Sequence, residues 1–221
     1  LFQMNNLCVD VGYRSINKKD EQLCGDMVQL VKDGDTTILV LADGLGSGVK
    51  ANILSTLTST IIATMISEHM SVEECVNTIM ATLPVCSVRG VAYATFTIIK
   101  VTGNSVAEII QYDNPEVILL RDGKSFDYPK EKRVISGKTI LESKINLECD
   151  DMFITMSDGA IYAGVGQTLN YGWQRDNIVE YAESRYSNKL SAQAMSSLIV
   201  DACNDLYNNE PGDDTTVATV R

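Results

Sequence analysis

Three apolar segments of the chain each meet an aspartate at one end. Asp43 follows T-T-I-L-V-L-A, Asp158 follows D-M-F-I-T-M-S, and Asp213 and Asp214 precede T-T-V-A-T-V. A carboxylate at the tip of a buried strand is costly unless a cation neutralises its charge. Several such carboxylates brought together are most simply explained by bound divalent cations, whose preferred ligands are oxygen atoms. The pattern predicts a metal-dependent hydrolase.

Histidine is scarce in the sequence, and this narrows the metal chemistry. His69 is the single histidine, near the end of a helical pattern where an exposed or capping role is the common one. Zinc sites built on clustered histidines and most Ser-His-Asp triads are therefore disfavoured. A site made of oxygen ligands alone favours Mg²⁺ or Mn²⁺.

The composition is that of an acidic globular protein. The 221 residues are 45% hydrophobic and carry a net charge of −11. Nucleic acid is disfavoured as a partner, because its binding depends on clustered Lys and Arg that neutralise phosphates. We expect no membrane segment, since no apolar run is expected to reach membrane-spanning length. The six cysteines form no C-x-x-C pair, which indicates free thiols and a cytoplasmic protein.

The sequence also suggests where the folded domain begins. Leu1-Phe2-Gln3, ahead of Met4, resembles the remnant that a protease leaves when an expression tag is removed, so residues 1–3 are set aside. The rest of the chain shows no internal repeat and no low-complexity linker. Because a chain of this length can bury one substantial core, we expect residues 4–221 to form a single domain.

Strand pairs and helix pairs occupy separate parts of the sequence. Periodicity predicts strands at 7–12, 26–32, 36–42, 91–101, 105–112, 116–121, 145–149, 152–157 and 215–220, and helices at 49–69, 71–83, 174–187 and 191–207. Residues 32–35 contain an Asp-Gly hairpin turn, and residues 71–74 form a helix capping box. Tight turns between strands favour antiparallel pairing over βαβ crossovers. The predicted fold class is α+β, with two antiparallel sheets packed face to face under helices.

The acidic motifs, taken together in their order, resemble those of a known enzyme family. They are Asp26 in C-G-D, Asp43-Gly44 in L-A-D-G-L-G-S-G-V-K-A, Asp158-Gly159 in S-D-G, and Asp213-Asp214 in G-D-D-T-T. In order and spacing they look like the motifs of the metal-dependent type 2C protein phosphatases. D-G-L-G-S-G-V-K-A is similar to the bacterial branch typified by the stage II sporulation protein E phosphatase domain.

This resemblance implies an α/β/β/α sandwich with a dinuclear metal centre on one edge. Asp43 would bridge both metals, and Asp158 and Asp213 would complete one site. Asp26 and the backbone carbonyl of Gly44 would complete the other. Asp214 would orient a ligand or a bound water rather than bind metal directly. Two cations in such a centre can activate a shared water for in-line attack on phosphorus, so no side-chain nucleophile is required.

The phosphate-anchoring residue is less well defined by the sequence. Many members of the family carry an arginine near the first strand, and Arg14 in V-G-Y-R-S is the nearest candidate. The separation between Arg14 and Asp26 is longer than the usual motif has. A surface ion pair is the alternative role for this residue.

Two rival phosphatase motifs also occur. Cys8 to Ser15 fits the C-x5-R-S cradle of cysteine phosphatases, but Asp10 inside such a cradle would repel the phosphate. Asp33-Gly34-Asp35 begins a D-x-D-x-T motif, but it coincides with the predicted hairpin turn. Neither motif has the setting that its chemistry needs.

By resemblance, the substrate is a phosphoserine or phosphothreonine on a partner protein, and an anti-sigma antagonist is one such substrate. No recognisable sensor domain accompanies the motifs, so regulation would require a separate partner or self-association. The alternative function is a phosphatase fold retained as a regulatory or scaffolding module without turnover. The intact set of acids disfavours that alternative, because mutually repelling carboxylates have no use in a scaffold.

Overall fold

The computed structural model describes residues 7–82 and 94–221. Its strands are β1 (Val11–Ile16), β2 (Asp26–Asp33), β3 (Thr36–Gly44), β4 (Ala94–Thr102), β5 (Val106–Tyr112), β6 (Ile118–Arg121), β7 (Lys124–Ser125), β8 (Glu131–Ile135), β9 (Lys138–Asn146), β10 (Met152–Met156) and β11 (Thr215–Val220). Its helices are α1 (Gly48–Ser67), α2 (Val72–Thr82), α3 (Asp158–Ile161), α4 (Arg175–Arg185) and α5 (Ala192–Leu206). The predicted remnant at residues 1–3, the predicted end of α2 at Leu83 and the start of the predicted strand at 91 lie outside the described residues.

The strands form two sheets in which every pairing is antiparallel. One sheet has the order β1-β11-β10-β6-β7, and the other has the order β2-β3-β4-β5-β9-β8. The prediction of antiparallel sheets rather than parallel crossovers is confirmed.

Neighbouring side chains along a strand pack into different layers of the fold. In β3, Ile38 and Val40 belong to the apolar cluster under α1 and α2, while Leu39 belongs to the cluster between the sheets. In β10, Ile154 packs toward α4 and α5, while Phe153 packs between the sheets. Because successive strand residues point to opposite faces, each sheet is covered on both sides. The four layers form the predicted α/β/β/α sandwich.

Helices α1 and α2 cover the six-stranded sheet. The predicted capping box starts α2, since the Glu74 backbone N–H donates to Ser71 Oγ at 3.2 Å and the Ser71 N–H donates to Glu74 Oε2 at 2.8 Å. Among the described residues, α1 alone has the length and composition of a membrane-crossing helix. This corrects the expectation that no apolar run is long enough. In the structure, α1 packs on β2 and β3, with Ile62 buried in the core.

The structure differs from the predicted elements mainly at two places. The first strand spans Val11–Ile16 rather than residues 7–12, because its register with β11 extends to Ile16 opposite Thr215. The hairpin of β8 and β9 replaces the strand predicted at 145–149. Its turn at Ser136 and Gly137 has positive φ at both residues, 49° and 76°. A Ser-Gly pair is a hairpin signal of this kind, so the sequence did contain the evidence for it.

Candidate metal centre

Asp26 and Asp43 lie side by side at the edge of the six-stranded sheet. Asp26 is the first residue of β2, Asp43 is the next to last residue of β3, and the two are register partners in the antiparallel ladder. The Gly44 N–H donates to the Gly25 carbonyl at 3.1 Å, which continues the pairing one step further. Directly opposed residues in such a ladder have side chains on the same face, so the two carboxylates share one side of the sheet.

Gly44 follows Asp43 where helix α1 crosses the strand tip. A Cβ added to Gly44 would overlap the backbone carbonyl oxygen of Ala51. The glycine is therefore required because the helix packs against this backbone, whatever the carbonyl of Gly44 binds. The position of α1 and the position of the strand tip are consequently linked.

The five-stranded sheet contributes Asp158, the first residue of α3, just after β10. Ser157 precedes it, and the Ser157 N–H donates to the Thr216 carbonyl at 3.0 Å, which fixes the end of β10 against β11. Ser157 Oγ in turn donates to Asp26 Oδ2 at 2.7 Å and accepts from the Thr216 N–H at 2.9 Å. This serine therefore joins the acidic edges of the two sheets.

Asp213 and Asp214 precede β11 and face different surroundings. Asp213 is half-buried, whereas Asp214 is only 4% exposed. Asp214 Oδ1 accepts from the Lys18 N–H at 2.9 Å, but Asp214 Oδ2 is buried without a hydrogen-bond partner. A buried carboxylate oxygen in that state is unfavourable unless a ligand or cation completes it.

Burial raises the pKa of the carboxyl groups in this cluster. Desolvation is the main cause for Asp213, the charge of Asp158 adds to it, and the pKa rises to about 6. Desolvation also raises the pKa of Asp26, Asp43 and Asp158. For Asp43 the charges of Asp26, Asp158 and Asp213 raise the pKa further. Mutual repulsion of this kind is relieved by bound cations.

The donor set fits Mg²⁺ or Mn²⁺, because Asp43, Asp158 and Asp213 line the same cleft and carboxylate oxygens are the ligands that these ions prefer. Among residues 7–82 and 94–221, no three His, Cys, Asp or Glu side chains already stand as the ligands of one ion. The structure thus brings the acids to one region, but their side chains are not arranged as the complete ligand set of one ion.

Asp43, Gly44, Asp158, Asp213 and Asp214 all line one cleft of about 1260 Å³. Asp26, opposite Asp43 in the ladder, is only 4% exposed and is not among the residues that line the cleft. The cleft continues past the acids along the ends of β4, β5 and β9, where Thr95, Tyr112 and Thr139 line it. Its volume exceeds the roughly 300–1,000 Å³ of ordinary small-molecule pockets.

Arg14 is not brought to this cleft. It lies on β1, and its Nη1 is 2.6 Å from Asp201 Oδ1 on α5, an ion pair of two half-exposed side chains.

Cys8 is exposed, and β1 occupies most of the segment from Cys8 to Ser15, so that segment does not form a phosphate cradle. Asp33 and Asp35 flank the β2–β3 turn, as the sequence predicted.

Three residues that the sequence analysis did not single out also belong to the site. Ser157 hydrogen-bonds Asp26. Lys18 lines the cleft, and its positive charge is a minor cause that lowers the pKa of Asp213. The charge of Asp113 contributes to the raised pKa of Asp158. Lys18 and Asp113 lie in loops with no periodic pattern. Ser157 was recognisable in principle, because it precedes Asp158 at the start of a helix.

The two-sheet sandwich is the fold of solved PP2C phosphatase domains. The sequence model described as Stage II sporulation protein E (SpoIIE) matches residues 33–221. The chain belongs to the SpoIIE family. No match was found among curated protein sequences.

Solved structures of this class share the fold at low sequence identity. The PP2C phosphatase domain with a fragment of the regulatory domain of SpoIIE from Bacillus subtilis has a TM-score of 0.79 and 15% identity, over 97% of this chain and 63% of that chain. The RsbU and RsbW domains of Rv1364c from Mycobacterium tuberculosis have a TM-score of 0.76 and 20% identity, over 96% of this chain and 61% of that chain. RsbX in complex with magnesium has a TM-score of 0.65 and 22% identity, over 96% of this chain and 94% of that chain. The chain thus spans less than two thirds of the first two of these relatives.

Proposed function

We propose that this chain is a metal-dependent phosphoprotein phosphatase that hydrolyses phosphoserine or phosphothreonine esters of a partner protein. The observation that carries the proposal is the meeting of Asp43, Asp158 and Asp213 from two sheets at one cleft, with Asp26 paired to Asp43 and all four pKa values raised by burial. Membership of the SpoIIE family supports the reaction class.

In this proposal each acid has a distinct task. Asp43 would bridge two ions of Mn²⁺ or Mg²⁺, Asp158 and Asp213 would hold one of them, and Asp26 with the Gly44 carbonyl would hold the other. Such a pair of cations supplies charge neutralisation and an acidified water for attack on phosphorus. A similar structure in complex with magnesium supports this choice of metal.

Several residues would hold these ligands in place. Ser157 fixes one oxygen of Asp26, and Asp214 accepts from the Lys18 N–H, which holds the loop before β2 against the turn before β11. Lys19 strengthens the same contact, since its N–H donates to the Pro211 carbonyl at 2.8 Å. The loop with Lys18 is therefore positioned to shield the acids from bulk water on that side.

The substrate and the cellular setting are proposals of the same kind. The cleft extends well beyond a phosphate group, which suits a residue within a protein better than a small phosphate ester. One similar structure contains both RsbU and RsbW domains, and another is described as part of the bacterial stressosome, so we propose a cytoplasmic role in bacterial signalling with a regulatory protein partner. An anti-sigma antagonist is a substrate of the required type.

The test is hydrolysis of p-nitrophenyl phosphate and of phosphothreonine peptides with added Mn²⁺ or Mg²⁺. Activity should depend on the metal and disappear with excess EDTA, because the metals are held by exchangeable oxygen ligands. It should also resist okadaic-acid-type inhibitors. The matched control is Asp43→Asn. Turnover that persists after complete metal stripping would contradict the mechanism, and metal binding without turnover of any phosphoester would instead support the scaffold alternative.

A further inference from the structure

The cleft that contains the acids continues toward a cationic wall. Beyond Asp43 and Asp158 its lining includes Arg175 at the start of α4, and Lys130 and Lys132 before and within β8. The protein as a whole carries a net charge of −11, so cations at this place run against the overall charge.

Arg175 is fixed in place without its charge being neutralised. Its Nε donates to the Glu116 carbonyl at 3.1 Å, and its Nη2 donates to the Val117 carbonyl at 3.3 Å. Both acceptors are uncharged backbone groups. The Glu116 carboxylate instead lies 3.4 Å from Lys130 Nζ. In the part of the chain that the structure describes, the ion pairs include neither Arg175 nor Lys132.

The position of Arg175 is unfavourable for the helix alone. A cation at the first residue of α4 opposes the helix dipole. Gln174, immediately before it, has a φ of 64°, a backbone conformation that residues other than glycine rarely adopt. The helix start itself therefore does not favour an arginine. The two backbone hydrogen bonds hold the guanidinium at the cleft, which is the pre-organisation that a binding group needs.

The distance from the acids to Arg175 matches a short length of peptide. Asp43 lies next to the last residue of β3, and Arg175 binds the segment after β5, two strands away in the sheet order. At a strand spacing of about 4.8 Å, this segment is roughly 10 Å to the side of Asp43, so Arg175 lies about that far away or further. A hydrogen bond also connects Arg175 to the helix that begins with Asp158. The Gln174 N–H, next to Arg175, donates to the carbonyl of Ile161, which lies one helical turn beyond Asp158. An extended peptide covers this distance in about three residues.

We propose that Arg175, together with Lys132 further along the cleft, binds an acidic side chain of the phosphoprotein substrate about three residues from the phosphorylated residue. This inference rests on the proposed phosphatase function. Arg175 would form a bidentate pair with the carboxylate. Arg175 is then a specificity residue and takes no part in the chemical step.

The test uses phosphothreonine peptides that carry one Glu or Gln at each position up to five residues on either side. For the wild type, the ratio of kcat/KM between the Glu and Gln peptides should reach about tenfold at roughly three residues from the phosphothreonine. Arg175→Gln should bring that ratio to about one, and Arg175→Lys should leave an intermediate ratio, because the charge stays and the fork is lost. Lys132→Gln should lower the ratio by a smaller factor.

The matched control is Arg185→Gln, which removes an arginine from the other end of the same helix, where it stacks on Tyr181 outside the cleft. This variant should keep the wild-type ratio. A wild-type ratio near one at every position, or an unchanged ratio in folded Arg175→Gln, would overturn the assignment. If Arg175→Gln fails to fold, Arg175→Lys and Lys132→Gln decide the question by the same ratio.

Failure of the proposed function can be told apart from failure of this site. If the wild type hydrolyses no phosphopeptide, fluorescence anisotropy of the labelled Glu and Gln peptides measures the same ratio as equilibrium binding. Preferential binding of the Glu peptide that Arg175→Gln abolishes would support the acidic-residue site without turnover. Equal binding of both peptides would overturn it.

Discussion

Asp26 and Asp43 are register partners on neighbouring antiparallel strands, so two carboxylates from different sequence motifs lie directly opposite each other. Like charges in this arrangement destabilise a sheet. The pairing is reinforced rather than avoided, because Ser157 of the other sheet hydrogen-bonds Asp26 and the Gly44 N–H continues the ladder. The fold therefore holds two acids together at the expense of its own stability, which is the expected arrangement for a cation site.

Asp43→Asn should stabilise the metal-free protein while abolishing turnover. The substitution removes a charge whose pKa is raised by burial and by three neighbouring acids, and the gain in unfolding free energy should be on the order of 1 kcal/mol. Thermal melting in EDTA and in Mn²⁺ measures both effects. Asp127→Asn is the control, since that side chain is 96% exposed and lies outside the acidic cluster. Equal stabilisation of wild type and Asp43→Asn by Mn²⁺ would count against Asp43 as a ligand.

The stability of the metal-free protein should fall as the pH rises. A carboxyl whose pKa is higher in the folded state holds its proton more tightly there, so the folded state is favoured at low pH and loses that advantage as the group ionises. For Asp213 the loss runs from about pH 4, the ordinary value, to about 6. The pKa values of Asp26, Asp43 and Asp158 shift in the same direction, and those of Asp26 and Asp43 extend the loss to higher pH.

Urea unfolding of the metal-free protein across pH 4 to 8 measures this slope. Saturating Mg²⁺ should flatten it, because bound cations replace the protons. A metal-free stability that rises steadily over the same range would show that these carboxyl groups do not have raised pKa values.

The apparent metal affinity should increase with pH over the same range. Protons and cations compete for the same oxygens, so each group that must lose a proton weakens metal binding below its folded-state pKa. The Mn²⁺ concentration at half-maximal thermal stabilisation should therefore be lower at pH 8 than at pH 6. Proton release on Mn²⁺ addition, measured by calorimetry in two buffers of different ionisation enthalpy, is an independent check. Binding without proton release at pH 6 would contradict it.

Ser157→Ala should weaken metal binding more than its loss of stability explains. The substitution removes the hydroxyl that donates to Asp26 at 2.7 Å and accepts from the Thr216 N–H at 2.9 Å. Its stability cost should be about 1–3 kcal/mol, because a buried N–H loses its acceptor. Ser196→Ala is the matched control, a fully buried serine that bonds the Gly12 carbonyl and Thr219 away from the acids. If both variants bind Mn²⁺ equally well in calorimetric titrations, Ser157 is only a structural link between the sheets.

The sequence predicted the sandwich and the acids that line its edge because both depend on local patterns. The apolar runs of β3 and β10 and the aspartates that follow them could be read directly, and those aspartates meet because each lies near the end of a buried strand. Arg14 is a residue that such patterns did not place. The first strand was predicted at 7–12, short of Arg14, and the direction of its side chain depends on the pairing of β1 with β11 and on the approach of α5. Lys18, Asp113 and Arg175 reach the cleft through loops and a helix start, whose placement is set by tertiary contacts and not by any periodic signal.

Gly44→Ala should be more damaging than its conservative chemistry suggests. The added Cβ would overlap the Ala51 carbonyl oxygen, a backbone atom that cannot rotate away, so α1 must move relative to the strand tip. The loss in unfolding free energy should be about 1–3 kcal/mol, with weaker Mn²⁺ binding because the Gly44 carbonyl moves too.

Gly46→Ala is the control, since nothing lies within 4 Å of its Cβ position and only the strain of a φ of 100° is added. Chemical denaturation and calorimetric Mn²⁺ titration of both variants measure the two effects. Mn²⁺ binding by folded Gly44→Ala that is as tight as in Gly46→Ala would show that the helix and the metal-side backbone are not coupled.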